Sequence, residues 1–103
     1  MRYSLASAAG KGRINEDVVV VYERDGWTDL VLMDGATPLT PDRSVTAGAS
    51  DPAWFVRRFA QDLGRVLRPD ACQADLVLEA LDVTRAAYRA SGAGIDVPPY
   101  AWP

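Results

Sequence analysis

Three acidic side chains, Glu16, Asp17 and Asp34, stand at the outer ends of two apolar runs within the stretch from Gly12 to Gly35. The runs, Val18–Val21 and Leu30–Met33, are separated by Asp25-Gly26, a dipeptide that favours a tight hairpin turn. If the runs pair, the acids meet at the open end of the hairpin. With Asp25 and Gly26 as a two-residue loop, Arg24 faces Trp27, Asp17 lies opposite Asp34, and Glu16 lies opposite Gly35. With a four-residue loop, Tyr22 faces Trp27 and Asn15 faces Asp34. Directly opposed residues have Cβ atoms about 4.5–5.5 Å apart, and like charges at that distance repel. A cation, protonation of one acid, or splaying into solvent would offset the repulsion. Oxygen donors without histidine or cysteine suit a hard ion, Mg²⁺ or Mn²⁺ rather than zinc. Gly35 adds a backbone carbonyl with no side chain in the way. The ordinary alternative is that Asp-Gly simply ends a strand and Asn-Glu-Asp is a polar lead-in.

The elements that must position these acids are legible in the hydropathy pattern. Asp17 to Tyr22 reads as a strand because Val18 to Val21 are all β-branched. Trp27 to Met33 reads as its antiparallel return. Apolar runs without alternation predict that both sheet faces are covered. Arg2 to Ala8 alternates and is expected to form a short strand, followed by a glycine-containing loop over Ala9 to Arg13. Ala36 to Ala49, with Pro38, Pro41 and Gly48, reads as a long loop.

Two helices are expected after it. Asp51-Pro52 opens the first, with Phe55, Phe59, Leu63 and Val66 on one stripe, and Arg68-Pro69 ends it. The second runs from about Ala71 to Ala90, with Asp70 as a candidate N-cap and Ser91-Gly92 as the stop. Val77, Leu81, Thr84 and Tyr88 line one side of it. Arg57, Arg58 and Arg65 fall on the expected solvated face of the first helix. The expected class is α+β, an antiparallel hairpin covered by two antiparallel helices.

Composition narrows the chemistry. The chain has 103 residues, 49% of them hydrophobic, and a formal net charge of −3. This suits one domain or part of one, and gives no electrostatic basis for nucleic-acid binding. Histidine is absent, which removes Ser-His-Asp and Cys-His catalysis within this chain. Cys72 is the only cysteine, so no internal disulfide forms, and it is expected to be a small packing residue in a reducing, cytoplasmic setting. No apolar run approaches the ~20 residues of a membrane span. The apolar tail Val97–Pro103 is expected to continue into a segment that packs, as though the domain were cut short.

The order glycine-rich lead, Arg, Asn-Glu-Asp, apolar strand, turn, apolar strand, Asp-Gly resembles the start of the type 2C (PPM) metal-dependent protein phosphatases. The residues that carry it are Gly10, Gly12, Arg13, Asn15, Glu16, Asp17, Asp34 and Gly35. The two helices that follow also match that family's order. The resemblance implies an N-terminal part of a four-layer α-β-β-α sandwich spanning residues 1–103. It implies two Mg²⁺ or Mn²⁺ ions and a bridging water that attacks a phosphoserine or phosphothreonine of a phosphoprotein substrate. Asp34 would bridge the metals, Gly35 would lend its carbonyl, and Glu16 and Asp17 would hold the second ion, largely through water. Arg13 would bind the substrate phosphate as a bidentate fork. Arg13 stands three residues before Glu16, where the family usually has four, and Lys11 is the alternative. Ala36-Thr37-Pro38 replaces the family's usual glycines. The family's later aspartates have no clear counterpart, Asp42 and Asp96 being the loose candidates. Residues 1–103 would then hold half a metal site. A different class of reading is a non-catalytic α+β interaction module whose acids are structural.

Overall fold

The computed structural model describes residues 3–8, 14–35 and 51–91. Two strands, β1 (Asp17–Arg24) and β2 (Trp27–Asp34), are followed by two helices, α1 (Asp51–Val66) and α2 (Gln73–Ala90). The fold is α+β: a two-stranded antiparallel sheet with helices on one face. The turn is the two-residue form. Arg24 pairs with Trp27 and Asp17 with Asp34, while Gly26 takes a φ of 86°, a value that glycine adopts without steric cost.

Strand alternation divides the hairpin into two unlike faces. Val18, Val20, Tyr22, Val31 and Met33 join the core with Ala60 and Leu63 of α1 and with Leu76 and Ala80 of α2. On the other face Leu30 is 67% and Leu32 75% exposed. The expectation that both faces are covered therefore holds only for the helix side among the described residues. This difference sets a clear contrast. Val31→Ala removes two buried carbons and is expected to cost about 1.6 kcal/mol at ~0.8 per buried CH₂. Leu32→Ala removes more carbon but should stay within about 0.5 kcal/mol. Urea unfolding of the two variants checks this, and similar midpoints would mean the register is wrong.

The helix α1 packs directly on the sheet. Helix α2 runs antiparallel to α1: Trp54 meets Tyr88, Asp62 meets Thr84, and Arg68 meets Glu79. The buried line of α2 is Leu76, Ala80, Thr84 and Tyr88, one turn apart each time. Val77, expected on that line, is exposed, as are Leu78 and Val83. No helix among the described residues is long and apolar enough to cross a membrane.

Other expectations differ from what is found. Residues 3–8 form no strand, and Tyr3 and Leu5 are exposed, because no described strand pairs with them. Cys72 is exposed rather than packed and occupies the N-cap of α2 without a side-chain cap bond. Asp70 lies two residues too early to cap and instead faces the Arg68 guanidinium at 3.7 Å. Of the arginines on the α1 outer face, Arg57 and Arg65 are exposed, but Arg58 and Arg65 both reach Asp62. The loop over 36–50 and the tail after Ser91 lie outside the described residues.

Burial raises the phenol pKa of Tyr22 above 10.0, opposed by the nearby Arg24 and Arg65 charges. Burial also raises Tyr88, with the Asp51 carboxylate adding to it. A tyrosine whose folded pKa is raised supports the native state fully below its unfolded value. That support is lost as pH rises through 10.0 toward the folded value. Stability is expected to fall as pH rises past about 10, and less steeply in Tyr22→Phe, as read from urea midpoints on either side of that value.

Candidate functional site

Asp17 and Asp34 end the ladder as directly opposed residues. Hydrogen-bonded and open pairs alternate along an antiparallel ladder. The Gly35 N–H donates to the Glu16 carbonyl at 3.0 Å, so Glu16–Gly35 is a hydrogen-bonded pair and Asp17–Asp34 an open one. Open pairs bring side chains closest. Both carboxylates are exposed and lie on the face turned away from α1, beside Leu32. Water screens their repulsion, yet a cation between them would relieve it more fully.

Gly35 is required at this end by space rather than by backbone conformation. A Cβ there would lie 3.0 Å from the Glu16 Cβ and 3.2 Å from its carbonyl carbon, and closer still to its carbonyl oxygen. Asn15 closes the other side. Its Oδ1 accepts the Asp17 N–H at 3.1 Å and its Nδ2 donates to Ser7 Oγ at 2.9 Å.

The structure thus brings Asp17, Asp34 and Gly35 together, in the first of the two registers the sequence allowed. Glu16 is adjacent in the chain, but strand alternation turns it toward the α1 side. Arg13, with Gly10, Lys11 and Gly12, lies outside the described residues, as do Asp42 and Asp96. Among the described residues no three of His, Cys, Asp and Glu converge to hold a metal ion. The donor chemistry of the pair, hard, charged, exposed and all oxygen, fits Mg²⁺ or Mn²⁺. Its count fits only part of a coordination sphere.

Asp62 is the polar residue whose importance the sequence concealed. Its side chain is fully buried, yet it sits mid-helix among charged neighbours, as an exposed residue would. It accepts from Arg58 Nε at 2.9 Å, Thr84 Oγ1 at 2.8 Å and Arg65 Nη1 at 3.5 Å. The spacing to Arg58 and Arg65 was the available signal, since residues three and four apart share a helix face. The Thr84 contact could not be read without the helix pairing. The groups around Asp62 are all donors, so the arrangement holds α1 to α2 and offers no open valence to a ligand.

A further concavity lies at the turn, lined by Glu23, Arg24, Asp25, Gly26, Trp27 and Thr28. It is at the opposite end of the hairpin from Asp17 and Asp34, and is wide open to solvent. Comparison with known protein families, with curated proteins and with solved structures finds no match.

Proposed function

We propose that this chain is the N-terminal part of a type 2C-like metal-dependent phosphoprotein phosphatase domain. The observation that carries the reading is the opposed pair Asp17–Asp34 at the open end of the hairpin, with Gly35 sterically fixed beside it. Support also comes from the layering. One helical layer covers one sheet face, while the acids share the other face with the exposed Leu30 and Leu32. That face is where the second sheet of an α-β-β-α sandwich would pack.

In this reading Asp34 and Asp17 hold Mg²⁺ or Mn²⁺ with the Gly35 carbonyl. Glu16 contributes through water from the neighbouring side of the strand. Bound ions would supply a water nucleophile at neutral pH and neutralise charge on the phosphoryl oxygens. Arg13 would orient the phosphate of a phosphoserine or phosphothreonine, its planar fork matching two oxygens at once. The remaining carboxylates would come from a longer chain, which makes residues 1–103 a weak metal binder with negligible turnover of p-nitrophenyl phosphate.

Calorimetric titration with Mn²⁺ tests the proposal. Wild type should give weak binding heats that vanish in Asp34→Asn, because an amide oxygen does not replace the carboxylate charge. Equal heats in both proteins would end the metal reading. A second reading, a non-catalytic α+β interaction module, is favoured by the bare apolar pair Leu30–Leu32 and by the lack of a third converging acid among the described residues. It predicts no Mn²⁺ binding at all.

A further inference from the structure

The proposed site depends on the side chains of Asp17 and Asp34 leaving the backbone from fixed points. At Asp34 the following Gly35 supplies that restraint through its bond to Glu16. At Asp17 the same bond holds the preceding Glu16 carbonyl, but the ladder leaves the Asp17 N–H itself without a partner from β2. Successive N–H groups of a strand point to opposite sides. Glu16 turns its carbonyl toward β2, so the Asp17 N–H points to the outer edge of β1, where no described strand lies.

We infer that Asn15 is the positioning residue for the carboxylate pair, clamping the Asp17 backbone from the outer edge while being held in turn by Ser7. The inference rests on the metal reading above. The amide orientation follows from chemistry. A backbone N–H can only donate, so the oxygen of Asn15 must face Asp17 at 3.1 Å. The NH₂ group is then left to donate to Ser7 Oγ at 2.9 Å. Both ends of the side chain are engaged, and its freedom to swing away is removed.

The Glu16–Asp17 unit is therefore gripped from both sides. Gly35 binds the Glu16 carbonyl from β2, and Asn15 binds the next N–H from the edge. Opposed restraints on the two ends of this one planar peptide group fix the direction in which the Asp17 Cβ leaves the strand. The Ser7 contact explains why residues 3–8, which form no strand, matter to the site: they supply the anchor for the clamp. Asn15 touches no ligand in this account and acts only through Asp17.

The test uses Asn15→Ala, Asn15→Asp and Ser7→Ala, with the exchange rate of the Asp17 amide and the Mn²⁺ dissociation constant as readouts. Asn15→Ala should speed Asp17 amide exchange and weaken Mn²⁺ binding about tenfold, the lower end for a group that orients a ligand. The urea midpoint should stay at the wild-type value, which separates positioning from general stability. Asn15→Asp keeps the acceptor and should keep the slow exchange. Ser7→Ala should give an intermediate result in both readouts. Wild-type exchange and wild-type Mn²⁺ affinity in Asn15→Ala, with binding still lost in Asp34→Asn, would overturn the role of Asn15 alone. An absence of Mn²⁺ binding in the wild type would overturn both the metal reading and this role.

Discussion

Asp62→Ala is expected to destabilise the protein by about 2–3 kcal/mol, a large effect for a single residue on a helix of this charge pattern. The Asp62 carboxylate is fully buried and receives Arg58, Arg65 and Thr84. Removing one partner of a buried ion pair strands the others, which costs about 3–5 kcal/mol when nothing can rehydrate them. Here the loss is smaller for two reasons. The Arg65 side chain is 70% exposed and the Arg58 side chain 33%, so both guanidiniums can turn to water. Thr84 keeps the Ala80 carbonyl, 2.9 Å away, as an alternative acceptor for its one proton. Asp62→Asn should be milder than Asp62→Ala, because the amide oxygen still accepts from Arg58 or Thr84. Urea denaturation of the two variants and of Thr84→Val measures the ranking. A midpoint for Asp62→Ala equal to wild type would mean that the α1–α2 pairing is misplaced.

Gly64→Ala is the second large effect, and its sign is diagnostic. In an isolated helix this change is favourable by about 1 kcal/mol. In this protein a Cβ on Gly64 would enter the Tyr22 ring, lying 2.7 Å from its hydroxyl oxygen and closer to its ring carbons. That hydroxyl donates to the Ala60 carbonyl at 2.6 Å, and Arg24 donates to the Gly64 carbonyl at 2.7 Å. These bonds dock the hairpin on α1, so the ring cannot retreat without breaking them. Overpacking costs about 1–3 kcal/mol, and a lost hydrogen bond adds about 1. The net expectation is destabilisation by about 1–3 kcal/mol, since sterics outweigh propensity. In a Tyr22→Val background the same substitution should become neutral or stabilising. The double-mutant cycle reads this coupling directly, and additive effects would contradict the docking geometry.

What the sequence revealed was local. Val18–Val21 and Leu30–Met33 around Asp25-Gly26 define the hairpin, because β-branched runs and a turn dipeptide act over neighbouring residues. The register was confined to two choices, and the two-residue turn at Gly26 selects between them. The helices followed from apolar spacing, and α2 ends at Ala90 as read. What stayed hidden depends on contacts between elements. Asp62 looks like an exposed acid until α2 brings Thr84 to it, and Gly64 looks like a helix defect until Tyr22 lies on it. Leu30 and Leu32 look like core until the pleat turns them away from α1. The same limit applies to the candidate site. Asp17 opposite Asp34 was legible from hairpin arithmetic. The turning of Glu16 to the other side, and the clamp from Ser7 through Asn15, required the backbone path.

The central claim is that the opposed carboxylates of Asp17 and Asp34 form part of a divalent-metal site. It is tested most directly by substoichiometric Mn²⁺ added to isotopically labelled protein, with amide signals followed by NMR. Paramagnetic broadening falls steeply with distance from the ion. Selective loss of the amide signals around Asp17, Asp34 and Gly35, with those of Asp62, Glu79 and Asp82 intact, is the expected result. It should disappear in Asp34→Asn. Broadening spread evenly over exposed acids, or persisting at Asp17 in Asp34→Asn, would contradict the account.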